Sequence, residues 1–285
     1  MTMLALVGLN SLSLAMLLFL LGAGLSITFG LMRVLNMAHG SFFLMGAYAG
    51  LAAWEKTSNF WVALLAGAVS TAVAGALLYG LFLRRFSQLE EFAQALLTFG
   101  FLLIIADGAL IVWGGFVEVQ PPAAFLRGSV HLGDLTYPKY RFFLIVVGLA
   151  IAALLWLFVG RTRLGAMVRA GVDDTEMAKG LGMNMSLVFL LVFALGSLLA
   201  GLAGALGAPY LGIYPGLDFE TLVLAFAVVI VGGVGSIEGA FVGALLVAFV
   251  DTLTKTYVPE LAWFSIYAPM AIVLAFRPWG LLGRR

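Results

Sequence analysis

Three polar side chains interrupt an apolar stretch near the N-terminus. Arg33, Asn36 and His39 lie in the glycine-bearing segment FGLMRVLNMAHGSFFLMGAYAG, residues 29–50. A charge or an imidazole in an apolar surrounding is costly unless it faces a protein interior or an aqueous cavity. Asn36 is suited to capping a helix, and Gly40 tolerates the backbone of a helix break. The segment is therefore either a polar pathway element at a helix break, or a turn between two helices with Arg33 reaching toward lipid headgroups.

A second polar break lies late in the chain. Gly232, Gly233, Gly235 and Ser236 separate the apolar run LVLAFAVVIV from AFVGALLVAFV. Irregular backbone at membrane depth is tolerated only where protein or water covers it. These residues predict either a hinge that lines a pathway or a tight turn between two helices.

Isolated acids are the remaining candidates for chemistry. Asp107 interrupts LLIIADGALIVW, and Glu238 and Asp251 lie near the ends of apolar runs. An ion-coupled carrier would use such an acid, whereas an interior hydrogen bond at a helix bend is the structural alternative. For Asp107 we favour the hydrogen bond, because no second acid pairs with it convincingly.

Enzymatic signatures are missing from the sequence. The chain has no cysteine, no His-Glu-x-x-His motif and no lysine that follows a glycine, so a Walker A loop is absent. A single histidine is neither a metal site nor a catalytic dyad. We therefore predict a protein that is not an enzyme, with no catalytic residue, no metal and no cofactor.

The composition indicates a protein whose main solvent is lipid. Hydrophobic residues make up 63% of the chain and charged residues 10%, against about 25% charged residues in a typical soluble domain. The net charge is only +1, and the sequence lacks the basic stripe that nucleic acid requires. We expect membrane lipid as a partner and no nucleic acid.

The apolar runs predict an all-α integral membrane protein. The backbone N–H and C=O groups at an open strand edge would lack hydrogen-bond partners in lipid, so each run is interpreted as a helix. The runs form a polytopic bundle of about 8–9 transmembrane helices in a single domain, residues 1–285, with broken or re-entrant segments. The second, seventh and eighth runs are short for a full crossing. The predicted spans are roughly 8–31, 41–55, 61–83, 93–113, 142–160, 186–209, 219–234, 237–253 and 262–278.

The arginines predict the orientation of the bundle. Loops 83–91 and 160–182 and the C-terminal tail with Arg277, Arg284 and Arg285 fall on one side if the spans alternate. Arginine and lysine in short loops favour the cytoplasmic side. We expect the N-terminus outside and the C-terminus inside, with no cleaved signal peptide, because no cation precedes Arg33. The proline-bearing loop 114–141, which includes Asp134, would then be an ordered external cap.

The segment 160–182 differs from a plain connector. Asp173, Asp174 or Thr175 can cap a short helix, with Glu176 in its first turn and Gly180 or Gly182 at its end. The residues alone leave two uses open: docking of a soluble partner, or a solvated linker.

Small residues recur every four positions in the apolar runs. Small side chains at this spacing share a helix face and permit close backbone approach, which predicts tight helix packing. The residues are Gly196, Ala200, Gly204 and Ala208; Ser197, Gly201 and Ala205; and Gly235, Gly239 and Gly243.

Four stretches that are distributed along most of the chain carry a family resemblance. They are GLSITFGLMRVLNMAHGSFFLMGAYAG, LVLAFAVVIVGGVGSIEGAFVGALLV, RTRLGAMVRAGVDDTEMAKGLGMN and the ending RPWGLLG. With these motifs, over nearly its whole length, the chain resembles the LivH-like permease subunits of branched-chain amino acid ABC importers. These motifs are specific for the family and not for the substrate, and related urea and short-amide permeases share much of the pattern.

The resemblance implies a function, partners and site residues. It implies a permease in the bacterial inner membrane that translocates branched-chain or related neutral amino acids. Its partners would be ABC ATPase subunits, a second homologous permease subunit and an external solute-binding protein. The loop at about 160–185 would couple to the ATPase through Arg163, Arg169, Asp173, Glu176, Ala178 and Gly182. The path or gate would include Asn36, His39, Gly40, Gly232, Gly233, Gly235 and Ser236.

Two other functional classes fit the residues without the resemblance. An ion-gradient-coupled secondary transporter would use Asp107 or Asp251 as its ion site. A channel-like bundle would conduct passively and require no partner. All three classes lack a Walker A loop, and the segment 160–182 favours the ABC permease.

Overall fold

A computed structural model describes residues 2–86, 90–133 and 135–283. Part of the loop 83–91, Asp134, Arg284 and Arg285 lie outside the described residues. Helices dominate the described chain: α1 (Thr2–Met32), α2 (His39–Thr57), α3 (Phe60–Leu78), α4 (Glu91–Trp113), α5 (Lys139–Arg161), α6 (Arg163–Asp173), α7 (Thr175–Gly180), α8 (Met185–Leu211), α9 (Leu217–Gly232), α10 (Ile237–Tyr257) and α11 (Phe264–Phe276). A π-helical turn over Tyr79–Leu83 extends α3, and β1 (Ser129–Leu132) pairs antiparallel with β2 (Leu135–Pro138).

Each of the nine predicted spans coincides with a helix, which confirms the all-α membrane fold. Six of the described helices are long and apolar enough to cross a membrane, namely α1, α3 with its extension, α4, α5, α8 and α10. The helix α9 has 16 residues and α11 has 13. The helix α2 has 19 residues but is not among the six.

The prediction of a short eighth span was wrong. The helix α10 has 21 residues and runs on to Tyr257. It continues through polar positions because Asp251 forms an ion pair with Lys255, one turn further on, at 2.7 Å. The ninth helix is the shorter one, and it stops at Phe276, two residues before Pro278.

The helix α8 is the centre of the bundle, and its glycines meet three neighbouring helices. A Cβ atom added at Gly196 would contact α1, one at Gly201 would contact α3, and one at Gly204 would contact the Phe43 carbonyl in α2. These backbones approach closely because α8 presents hydrogen atoms where other residues carry side chains. The predicted role of the small-residue stripes in helix packing is confirmed.

One end of the bundle, here called the hairpin end, carries β1, β2 and the linker between α8 and α9. The Tyr137 hydroxyl donates to the Leu9 carbonyl oxygen at 2.8 Å. Glu118 and Ile213 exchange two backbone hydrogen bonds of 2.8 Å. The segment 114–138 is thereby fixed to the start of α1 and to the α8–α9 linker.

The opposite end, here called the α6–α7 end, carries the described parts of the three segments whose arginines predicted the cytoplasmic side. Gly171 in α6 packs against the side chains of Leu31 and Met185, at the end of α1 and the start of α8. The helix α3 runs antiparallel to α8 and so finishes at this end, next to Arg84 and Arg85. The C-terminal tail also lies here, because Gly280 packs on Gly233 after α9.

Candidate pathway and coupling sites

The chain turns back into the bundle after α1. Arg33, at the turn, has a φ of +53° and an exposed side chain at the α6–α7 end. Asn36 is buried, and its side-chain oxygen accepts a hydrogen bond from the Ala38 backbone N–H at 3.1 Å. This turn leads directly into α2, which begins at His39. Arg33 thus lies in a surface turn, whereas Asn36 lies in the interior.

His39 places the first turn of α2 deep inside the bundle. Its side chain is fully buried, and Nε2 lies 2.9 Å from the Leu21 carbonyl oxygen in α1. Leu21 precedes the end of α1 by about three turns, or roughly 16 Å. The carbonyl only accepts, so Nε2 carries the hydrogen and Nδ1 is an acceptor. Nδ1 has no hydrogen-bond partner among the described residues.

Gly40 joins α2 to α9. A Cβ atom at Gly40 would collide with the Asp218 carbonyl oxygen and crowd Leu222. Asp218 is 2% exposed in the first turn of α9, where the helix dipole favours an acid. Sequence reasoning missed Asp218, although an acid opening an apolar helix in the stretch LDFE was the available signal.

The second break is a tight turn between α9 and α10. Gly233 has a φ of +108° and Gly235 a φ of +77°, which residues with a Cβ atom adopt with strain. The Ser236 hydroxyl caps α10 by accepting from the Gly239 N–H at 2.8 Å. Gly232 packs directly on the Gly239 carbonyl, so the two helices touch at the turn.

The C-terminal tail seals this turn. The backbone N–H groups of Leu281 and Leu282 donate to the carbonyl oxygens of Val231 and Gly232, each at 2.9 Å. Carbonyls in the last turn of a helix lack intrahelical partners and need another donor away from water. The RPWGLLG ending supplies those donors, a role that its sequence did not indicate.

The two predicted pathway segments lie apart. Gly40 contacts the first turn of α9, whereas Gly232 ends it. A helix of 16 residues separates them, which corresponds to about 24 Å. The second segment instead lies close to the end of α1, where a Cβ atom at Gly30 would collide with Gly235.

The segment after α5 folds into α6 and α7 with the predicted capping. The Asp174 side chain accepts from the Met177 N–H at 2.9 Å and caps α7. The helix ends at Gly180, and Gly182 follows with a φ of +83°. Thr162 caps α6 by accepting from the Gly165 N–H at 3.0 Å. Both short helices are thus fixed locally.

The predicted coupling residues divide by exposure. Arg163, Arg169, Asp173, Glu176 and Gly182 are exposed. Ala178 is only 2% exposed and packs in a cluster with Ile27, Leu31, Val168, Met185, Val188 and Val192.

Two apolar side chains on the same surface were missed. Met177 is 61% exposed and Leu181 is 71% exposed. They lie four residues apart, one turn of helix, beside the exposed ion pair of Glu176 with Lys179 at 2.9 Å.

A cavity connects this segment to the turn between α9 and α10. Its volume is about 810 Å³. The lining includes Arg169 and Asp173 from α6, and Gly235, Ser236 and Glu238 from the second break. The structure therefore brings together two predicted sites that lie far apart in the sequence.

The candidate ion-site acids have different surroundings. Asp107 lies on the exposed face of α4, so the interior hydrogen bond that the sequence favoured for it is wrong. Asp251 is buried; it pairs with Lys255 and also accepts from the Ser265 hydroxyl at 2.8 Å. Its negative charge is thus balanced within the chain.

A helical bundle with six described helices long and apolar enough to cross a membrane is the architecture of a multi-pass membrane protein. Residues 8–275 match the sequence profile of the family described as branched-chain amino acid transport system / permease component. The chain belongs to this family.

Relatives support the same assignment. The chain is 27% identical to BraD of Pseudomonas aeruginosa, a high-affinity branched-chain amino acid transport system permease protein, over 93% of this chain and 91% of the relative. It is 28% identical to LivH of Escherichia coli K12, over 93% and 91%. It is 28% identical to LivM of Salmonella typhimurium, over 95% and 68%.

A solved structure shares the fold. PsaBC from Streptococcus pneumoniae in complex with Fab aligns with a TM-score of 0.50 at 14% identity, covering 94% of this chain and 89% of that chain.

Proposed function

We propose that this chain is the permease subunit of a binding-protein-dependent ABC importer for branched-chain or related neutral amino acids. ATP is hydrolysed on partner ATPase subunits, and a second homologous permease completes the path. The observation that carries the proposal is the capped, exposed α6–α7 segment on a bundle that matches the permease family over residues 8–275. A solute-binding protein delivers the substrate.

The proposed topology has eight or nine crossings in one transmembrane domain, residues 1–285. The α6–α7 end faces the cytoplasm, so the N-terminus lies outside the bacterial inner membrane and the C-terminus inside. This orientation is supported by the arginines at the α6–α7 end, which among the described residues outnumber Arg127 and Arg141 at the hairpin end. The segment at about 114–141 then faces outward, and the segment at about 160–185 faces the ATPase.

The ATPase docks on the exposed surface of α6 and α7. Met177 and Leu181 provide the apolar contact, because aliphatic side chains held out into water favour burial in a partner. Arg163, Arg169, Asp173 and Glu176 supply charged contacts around them, and the turn at Gly182 completes the surface. Ala178 acts from inside by fixing α7 to the bundle.

The gate consists of the two breaks, Asn36, His39 and Gly40 together with Gly232, Gly233, Gly235 and Ser236. When the ATPase moves α6, it changes the shape of the shared cavity that Arg169, Gly235 and Ser236 line. The α9–α10 turn receives this motion first, and α9 transmits it to Gly40, against which its first turn packs.

The test is purification of the tagged chain from its native membrane in mild detergent, followed by reconstitution with whatever co-purifies. We expect ABC ATPases and a second permease, and leucine uptake that requires both ATP and the solute-binding protein. Uptake that persists without ATP and follows a proton or sodium gradient would contradict the proposal. ATP-driven uptake of urea or short amides, with no leucine uptake, would support the assignment as an importer but change the assigned substrate.

A further inference from the structure

A second cavity opens at the hairpin end, opposite the α6–α7 segment. Its volume is about 350 Å³, at the lower end of the range of small-ligand sites. Its lining combines a set of apolar side chains, here called the floor, with a set of charged side chains, here called the rim. The floor is built from Leu14, Leu17, Leu18, Leu21, Phe43 and Leu224.

Arg141 is a cation on the rim, and neutral side chains hold it in place. Arg141 donates to the Asn10 side-chain oxygen at 2.6 Å, and its guanidinium lies 4.8 Å from the centre of the Tyr210 ring. None of the ion pairs within residues 2–86, 90–133 and 135–283 includes Arg141. These contacts orient the guanidinium and leave its positive charge uncompensated.

Glu220 is an anion on the same rim, and a neutral side chain also holds it in place. Glu220 accepts a hydrogen bond from the Tyr214 hydroxyl at 2.8 Å. Burial, and to a smaller extent the hydrogen bond to Glu220, raises the pKa of Tyr214 to about 12. The hydroxyl therefore stays protonated at neutral pH. Glu220 likewise belongs to no ion pair among the described residues.

The other two charges on the rim balance each other. Lys255 lies 2.7 Å from Asp251, and both line the cavity. One cation and one anion thus neutralise each other, whereas Arg141 and Glu220 in the same cavity do not. Two opposite charges that do not pair with each other, in a cavity that also has an apolar lining, are complementary to a solute that carries both charges and an aliphatic group.

We propose that this cavity is an entry subsite for a zwitterionic α-amino acid with an aliphatic side chain. Arg141 binds the carboxylate and Glu220 binds the ammonium group, while the side chain rests on the leucine floor. A guanidinium suits a carboxylate because it presents paired donors. The inference rests on the proposed function and assigns recognition of the substrate to residues of the permease.

The cavity also leads toward the first predicted gate segment. Leu21 in the floor offers its carbonyl to His39, and Phe43 in the floor comes from the first two turns of α2. A solute in the subsite would therefore lie next to the start of α2.

Photolabelling of the purified complex without ATP tests the subsite directly. The probe is photo-leucine, a diazirine analogue of leucine. We expect labelled peptides from residues 14–21 and 217–224, with displacement by leucine. Leucinamide lacks the carboxylate and 4-methylpentanoate lacks the ammonium group, so each should compete at least about tenfold less well.

Charge-removing variants assign the two roles. We expect Arg141→Gln and Glu220→Gln each to raise the leucine concentration for half-maximal displacement by about tenfold or more. Leucinamide should distinguish the variants. It has no carboxylate for Arg141 to bind, so its affinity should be unchanged in Arg141→Gln and should fall in Glu220→Gln. The controls Lys139→Gln and Glu260→Gln remove like charges from the same end outside the cavity lining, and they should change displacement less than twofold.

The outcomes separate the subsite from the transport function. Labelling elsewhere, or charge-removing variants equal to their controls, would overturn the subsite even if ATP-driven leucine uptake is intact. Absent uptake with specific, charge-dependent labelling would retain the subsite and count against the proposed function. Equal competition by leucine and both analogues would also overturn the zwitterion assignment.

Discussion

The imidazole Nε2 of His39 lies 2.9 Å from the Leu21 carbonyl oxygen, so the start of α2 is attached to the middle of α1. This bond joins the start of α2 to α1, which with 31 residues is the longest of the described helices. It also sits below the cavity at the hairpin end, because Leu21 contributes to that floor. The polar residues that interrupt the apolar N-terminal region thus have a structural role in fixing α2, alongside the gate role that we propose.

The first prediction concerns this bond. His39→Leu removes the donor and replaces the imidazole with an apolar side chain, and we expect a stability loss of about 1–2 kcal/mol from the missing hydrogen bond and the altered shape. Leucine uptake should fall because α2 loses its fixed start. Thermal unfolding in detergent and uptake in proteoliposomes measure the two effects.

The matched control is His131→Leu, since His131 is the second of the two histidines and lies exposed in the hairpin. We expect it to behave like the wild type. Equal behaviour of both leucine variants would show that the bond between α1 and α2 is dispensable.

The second prediction concerns the close approach of α8 and α2. In Gly204→Ala the new methyl group meets the Phe43 carbonyl, which is backbone and cannot rotate away. We expect destabilisation of about 1–3 kcal/mol, as for other overpacked interiors. A lower midpoint of thermal unfolding in detergent would report it.

The control glycine lies in α4, where a Cβ atom at Gly100 has nothing within 4 Å. Gly100→Ala should leave the midpoint unchanged or raise it, because alanine favours a helix over glycine by about 1 kcal/mol. A Gly204→Ala protein as stable as the Gly100→Ala protein would refute the packing argument.

The third prediction concerns docking. Met177→Glu combined with Leu181→Glu places two charges on the exposed apolar surface formed by α7 and the residue that follows it. Because α7 is held from inside by Ala178, we expect the protein to insert and fold normally. Co-purification of the ATPase should fall by at least about tenfold, since burying a charge without a partner is costly.

The comparison is Val119→Glu, which is equally exposed at 69% but lies at the hairpin end. It should retain the ATPase at wild-type levels. Retention by the double variant would move the docking surface away from Met177 and Leu181.

The fourth prediction concerns the C-terminal tail. Leu281→Pro removes the N–H that donates to Val231 and keeps an apolar side chain. We expect faster amide hydrogen exchange in residues 229–240, because the α9–α10 turn loses part of its cover. Leu281→Ala retains the N–H and should exchange at close to the wild-type rate; identical exchange in both variants would exclude the proposed sealing role.

The sequence predicted helices reliably because helix formation depends on local information. Apolar runs of helical length, the capping side chain of Asp174 and the glycine at position 182 each act within a few residues of themselves. The predicted length of α10 was wrong where the pattern was ambiguous, since Asp251 and Lys255 look like the end of a span until their ion pair is seen.

The candidate sites were predictable only in part. The exposed α6–α7 segment followed from its charges and caps, but the sequence did not distinguish the exposed Met177 from the buried Ala178 beside it. The two segments that we propose as the gate were found in the sequence as irregular stretches, yet their separation along α9 depends on how α2 packs against that helix.

The sequence by itself determined the membrane environment, the nine helical segments, the small-residue faces and the family resemblance, because each is written in composition or short spacing. Tertiary structure alone decided the depth of His39, the sealing of the α9–α10 turn by the tail, and the cavity that places Arg141 and Glu220 together. Asn10 and Arg141 illustrate the reason: they are 131 positions apart in the chain and 2.6 Å apart in space. Contacts over such separations arise only when helices pack, and no local pattern encodes which faces will meet.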